Sequence, residues 1–136
     1  MRKIYLGVDP GRSKTGLALV NDIGEILGLH IAFVDRFEDE LKNFCADWKL
    51  QGVVIGDGTN SKNISSMIAD CYPELKQYVV GEAFSTEEAR KLYWKVNPPQ
   101  GWKKLVPLGL LVPEEPLDAY AAVVQVRRWL KQGDKS

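Results

Sequence analysis

Apolar residues first come in short runs broken by turn signals, and only from Phe37 onward do they recur every third and fourth position. The runs Lys3 to Asp9, Thr15 to Asn21 and Glu25 to Val34 read as three strands. Pro10-Gly11 and Asn21-Asp22-Ile23-Gly24 are the turn signals between them. Phe37, Leu41, Phe44, Cys45 and Trp48 then mark one face of an amphipathic helix, predicted over Phe37 to Leu50. Gly52 to Gly56 is a continuously apolar strand of the kind buried on both faces. Ser61 to Cys71 is predicted as a second helix and Tyr78 to Gly81 as a fifth strand. Ser85-Thr86-Glu87-Glu88 fits a capping box opening a helix to about Lys95. Val96 to Pro116 holds five prolines and two glycines, so a long loop with at most one short turn is expected. Leu117 to Lys131 is the last predicted helix, and Arg127, Arg128 and Lys131 are expected as its solvated, dipole-compatible end.

Three consecutive strands make an antiparallel meander, and helical crossovers then add parallel strands. The order therefore predicts an α/β fold: a five-stranded mixed sheet, three antiparallel strands plus two parallel ones, with helices on both faces. One domain over 1–133 is expected, with 134–136 as a frayed tail.

Composition narrows the class more than the function. Of 136 residues, 45% are hydrophobic and 26% charged, an ordinary globular balance. No apolar stretch reaches the roughly 20 residues that a membrane helix needs, and the N-terminus enters a strand at once, unlike a secretory signal. Cys45 and Cys71 have no metal or disulfide spacing, which suggests buried thiols in a reducing, cytoplasmic setting. Lys+Arg and Asp+Glu are equal at 18 each, which argues against a strongly basic, non-specific nucleic-acid binder while leaving a local basic surface open.

Candidate chemistry lies in four carboxylates at comparable places. Asp9 ends the first strand, Asp57 follows the fourth, Glu82 follows the fifth, and Asp118 opens the last helix. Where the first, fourth and fifth strands run parallel, their carboxy ends share the edge at which α/β folds bind ligands. Clustered carboxylates suit hard cations, and two such ions roughly 3.5–4 Å apart clamp a phosphodiester for in-line attack by water. Each acid also has a structural reading. Asp9 and Asp57 suit turns through their own side chains, Glu82 suits a solvated position ahead of a helix, and Asp118 suits a helix N-terminus on dipole grounds. Ala121 and Ala122, a turn after Asp118, would let the helix lie close to the sheet, or simply pack.

Gly7-Val8-Asp9-Pro10-Gly11-Arg12-Ser13-Lys14-Thr15-Gly16 resembles the first motif of the RuvC-type Holliday-junction resolvases, ribonuclease H-like nucleases that include the YqgF-type pre-16S rRNA-processing nucleases. A similar glycine-rich turn recurs in actin-like sugar kinases and Hsp70-type ATPases. Glu82-Ala83-Phe84-Ser85-Thr86-Glu87-Glu88-Ala89 is similar to the YqgF-type segment with a catalytic Glu, and Asp118-Ala119-Tyr120-Ala121-Ala122 to the motif opening its final helix. The resemblance implies a ribonuclease H-like fold and a phosphodiester hydrolase needing Mg²⁺ or Mn²⁺, two ions in all. It implies catalytic and metal-binding roles for Asp9, Glu82 and Asp118, with Asp57 near the place of the resolvases' second acid. Gly81 and Ala83 depart from the acidic and basic neighbours usual around that Glu.

The substrate implied is structured nucleic acid, an rRNA precursor or a DNA junction, with a homodimer left open. Arg12 and Lys14 in the first turn, and Trp102, Lys103 and Lys104 in the Pro-rich loop, are the candidates for contacting it. That loop reads equally as anchoring tryptophans with solvated lysines. His30 falls in a strand and is expected as a packing or edge residue, which makes a Ser-His-Asp triad improbable. The rival functions are an actin-like ATPase or phosphotransferase fragment, for which one domain is short, and a non-catalytic binding module that keeps the fold.

Overall fold

Alternation along each strand sends one set of side chains to either side of a single five-stranded sheet. The computed structural model describes residues 2–81, 85–107, 111, 113 and 116–133, with Ser85 described in its backbone only. Glu82, the Ser85 hydroxyl of the expected capping box and the 134–136 tail lie outside the described residues. The strands are β1 (Ile4–Asp9), β2 (Lys14–Asn21), β3 (Ile26–Phe33), β4 (Gly52–Gly56) and β5 (Gln77–Val80). The helices are α1 (Phe37–Cys45), α2 (Ser61–Cys71), α3 (Ser85–Val96) and α4 (Asp118–Gly133). Sheet order is β3-β2-β1-β4-β5, with β1–β2 and β2–β3 antiparallel and β1–β4 and β4–β5 parallel. This is the expected mixed sheet.

Two buried clusters sit on opposite faces. Leu6, Val8, Leu17, Leu19, Val53 and Ile55 pack with Phe37 and Leu41 of α1 and Ile64 and Ile68 of α2. Tyr5, Ala18, Val20, Val54 and Val80 pack on the other side with Leu92 and Tyr93 of α3 and Tyr120 to Val124 of α4. Each fully buried Leu or Val in these layers stabilises the fold by roughly 1.5–3 kcal/mol.

Two differences from the sequence reading have local causes. Helix α1 stops at Cys45 rather than Leu50. The N–H groups of Ala46 and Trp48 donate to carbonyls only three residues back, at Asn43 and Cys45, so the chain tightens and leaves the helix. Trp48 follows that turn onto the surface instead of extending the buried stripe. The basic end of α4 is also more than a solvated terminus. The Arg128 guanidinium pairs with Glu88 of α3 at 3.1 Å and donates to the Gly81 carbonyl at 3.2 Å, and Arg127 Nε donates to the Gly24 carbonyl at 2.9 Å.

His30 lies on edge strand β3, where its Nε2 meets Glu40 Oε1 at 2.9 Å and its ring stacks on Phe44, as an edge residue should. Cys45 is buried and Cys71 half-buried, and neither forms a disulfide. Burial alone pushes the Cys45 thiol up to about 12, so it stays protonated at neutral pH. Among the described residues, no helix is long and apolar enough to cross a membrane.

Candidate functional site

Asp9 is half-buried at the carboxy end of β1, on the same side of the sheet as Gly7 and Tyr5 and therefore under α4. Its partner across the antiparallel pairing is Gly16 of β2. A Cβ at Gly16 would overlap the backbone of Asp118 and Ala119, so only glycine lets the first turn of α4 rest on the strand there. The same holds one turn on, where a Cβ at Gly7 would run into the Ala122 carbonyl and Val126 Cγ2. Two glycines and the small residues Ala119 and Ala122 thus let α4 lie close on β1 and β2. The backbone of Asp118 is thereby seated beside the strand pair that ends in Asp9.

Gln125 completes this contact, and the sequence reading missed it. It is fully buried, and its Nε2 donates to Asp9 Oδ1 at 3.1 Å. Helical side chains slope toward the N-terminus, so a residue two turns below Asp118 reaches back up to the strand end. The one trace in the sequence is slight: Gln125 stands seven residues after Asp118 inside Ala121-Ala122-Val123-Val124-Gln125-Val126, a lone amide in an apolar run. An ionised carboxylate only accepts, so the amide must turn its NH₂ toward Asp9. Gln125 Oε1 then faces away, buried and without a hydrogen-bond partner.

Asp57 lies just past β4, exposed, with its N–H donating to the Val80 carbonyl at 3.0 Å. In the parallel pairing of β1 with β4, Val8 is opposite Ile55, so Asp9 and Asp57 leave neighbouring strands at one rim. Asn60 Nδ2 donates to the Gly11 carbonyl at 3.0 Å and ties the loop after β4 to the turn after Asp9. β5, which leads toward Glu82, ends at the same rim, with Val80 paired to Gly56. Among the described residues, no group of three or more His, Cys, Asp or Glu side chains is placed to hold a metal ion together. Of the acids expected in the shared site, Asp9 and Asp118 are described beside or on α4, and Glu82 is outside the described residues.

The substrate-contact candidates fall into two groups. Arg12 and Lys14 are exposed in and after the β1–β2 turn. Trp102, Lys103 and Lys104 lie on a single 3₁₀ turn, Gly101–Leu105, the one short turn expected in the long loop. Trp102 is 70% exposed and Leu105 88%, while Lys103 lines a cleft of about 350 Å³ with Tyr93, Trp94, Asn97, Pro98, Pro99 and Gln100. Asn97 Nδ2 donates to the Tyr120 hydroxyl at 3.1 Å, which ties the start of this segment to the helical turn that carries Asp118. Trp94, by contrast, is a core residue, packed edge-on against Tyr93.

No family model and no curated protein matches the chain. Among solved structures, it is similar to Thermus thermophilus RuvC, with a TM-score of 0.57 at 12% identity over 95% of this chain and 94% of that one. It is also similar to T. thermophilus RuvC in complex with Holliday junction substrate, with a TM-score of 0.55 at 13% identity over 96% of each chain. A ROK family glucokinase from Streptomyces griseus in complex with glucose and AMPPNP gives a TM-score of 0.44 at 16% identity over 72% of this chain and 38% of that one. At such identities the likeness to RuvC shows the fold, which is ribonuclease H-like.

Proposed function

We propose that this chain is a divalent-metal-dependent nuclease of the RuvC and YqgF type, acting on structured nucleic acid. One observation carries the reading: α4 is seated on Gly16, the strand partner of Asp9, by its Asp118 turn. That contact sets the backbone of Asp118 beside the strand pair that ends in Asp9, which supports a site shared by the two acids. The fold shared with RuvC, one of whose structures holds a Holliday junction, supports the substrate class.

The donor set suits Mg²⁺ or Mn²⁺. Asp9 and Asp118 offer carboxylate oxygen, the lone histidine is engaged with Glu40, and both cysteines belong to the other face of the sheet. Mg²⁺ commonly takes only one or two carboxylates and fills its remaining positions with water and substrate phosphate. Asp9 and Asp118, joined by Glu82, are the residues proposed to hold the ions. Bound there, the metal would supply an activated water and steady the leaving oxygen. The protein's own part is to hold negative charge at a fixed place. Arg12, Lys14, Lys103 and Lys104 are proposed to meet phosphates on either side, with Trp102 offering a face to an unpaired base.

The test is a cleavage screen of four-way DNA junctions and rRNA-like hairpins in Mg²⁺, Mn²⁺ and Ca²⁺. Cleavage in the first two, lost in a folded Asp9→Asn protein, is expected, and Ca²⁺ should bind without supporting turnover because its looser coordination positions water poorly. Undiminished cleavage by Asp9→Asn would overturn the mechanism. Stabilisation by ATP with no cleavage would favour a phosphotransferase instead.

A further inference from the structure

A glutamine that served packing alone would have both ends of its amide paired, or would be replaced by an apolar residue of similar volume. Gln125 has neither property. Its Nε2 is committed to Asp9 Oδ1, while its Oε1 is buried with no partner. An unpartnered buried carbonyl is destabilising, because it has lost water and gained nothing in return. Such local costs are concentrated at functional sites. One turn before Gln125, on the same side of α4, stand Ala121 and Ala122, both buried, so the amide is set beside apolar neighbours. Among the described residues no group donates to the orphan acceptor, so what the amide gains is its hydrogen bond to Asp9.

We propose that Gln125 is a positioning residue of the acidic site: its Nε2 orients the Asp9 carboxylate for the divalent cation, and the buried, unpartnered Oε1 is the cost of that contact. This rests on the metal-dependent reading above. Outer partners of this kind orient the ligand and typically change metal affinity by about 10-fold to 100-fold.

The experiment uses Mn²⁺ alone, with free Mn²⁺ read by its electron paramagnetic resonance signal, beside thermal unfolding without metal. Gln125→Met removes both hydrogen-bonding ends at similar volume, and Gln125→Leu does the same if Met fails to pack. The expected result is Mn²⁺ binding weakened by about 10-fold or more, with an unfolding temperature in the absence of metal that is unchanged or raised. Mn²⁺ affinity within twofold of wild type would overturn the inference and leave the functional reading intact. Weaker binding with a lowered metal-free unfolding temperature would assign Gln125 to packing and equally overturn it. No Mn²⁺ binding by the wild type would overturn both.

Discussion

The two faces of the sheet solve different problems with the same strands. Along β1, Leu6 and Val8 turn toward α1 and α2, while Tyr5, Gly7 and Asp9 turn toward α4. The α1–α2 face is filled with Leu, Ile, Val and Phe, including Phe37, Leu41, Ile64 and Ile68, all essentially inaccessible to water. The α4 face has glycine at the two points of closest approach, alanine opposite, and a buried amide. Large side chains hold a helix away from a sheet and fill the gap with dispersion contacts. Small ones give up that apolar area and gain proximity. Both faces bury a core, but only the second gives up side-chain volume at Gly7 and Gly16, which sets the backbone of Asp118 against the strand partner of Asp9.

Mutations should separate the two. The largest loss of stability is expected from Phe37→Ala, about 3–5 kcal/mol from lost burial and a residual cavity. Denaturant unfolding would show it, and the fraction still folded should bind Mn²⁺ as wild type does. A Phe37→Ala protein as stable as wild type would remove the α1–α2 face from its supporting role. Gly16→Ala should cost less, about 1–3 kcal/mol for a forced shift, yet it should abolish Mn²⁺ binding by lifting the Asp118 turn off the strand. Intact Mn²⁺ affinity in Gly16→Ala would break the link drawn here between close packing and the site.

The difference between the faces also marks what could be read from the sequence. Alternation and turn residues were enough for β1, β2 and the parallel pair, because a half-buried or fully buried strand leaves a two-residue or continuous apolar signature. The end of α1 was not legible, since Trp48 continues the helical period while the local hydrogen bonds do not. Asp9 and Asp118 stood out through their places at a strand end and a helix start. Gln125 did not, because a polar residue among alanines and valines gains meaning only once the helix is known to cross β1. Gly16 was visible as a glycine, but its purpose depends on what lies above it. The arginines near the end of α4 were misread for a similar reason: their carbonyl and carboxylate partners come from Gly24, Gly81 and Glu88, all distant in sequence.

Beyond the α4 face, Lys103→Ala combined with Lys104→Ala should weaken binding of a junction or hairpin. It should also lower the slope of log affinity against log salt by up to about 2 units, as two fewer phosphates are neutralised. An unchanged slope would take the 3₁₀ turn out of the substrate path. The smallest effect belongs to the packing face. The Phe33 N–H donating to Glu40 Oε2, helped by His30, holds the Glu40 carboxyl below its ordinary value of 4.5. A depressed carboxyl contributes stability that is present above its unfolded value and lost as pH falls through the folded one. Glu40→Gln should therefore flatten the decline in stability just below pH 4.5 and leave Mn²⁺ binding untouched. An unaltered decline would show that this hydrogen bond contributes nothing measurable.

The most direct measurement is anomalous diffraction from crystals soaked in Mn²⁺. A peak at about 2 Å from carboxylate oxygens of both Asp9 and Asp118, absent in crystals of Gly16→Ala or Asp9→Asn, is the expected result. Well-ordered Asp9 and Asp118 with no peak between them at saturating Mn²⁺, or a peak held only by other residues, would contradict the claim that α4 is brought onto Gly16 to build a metal site.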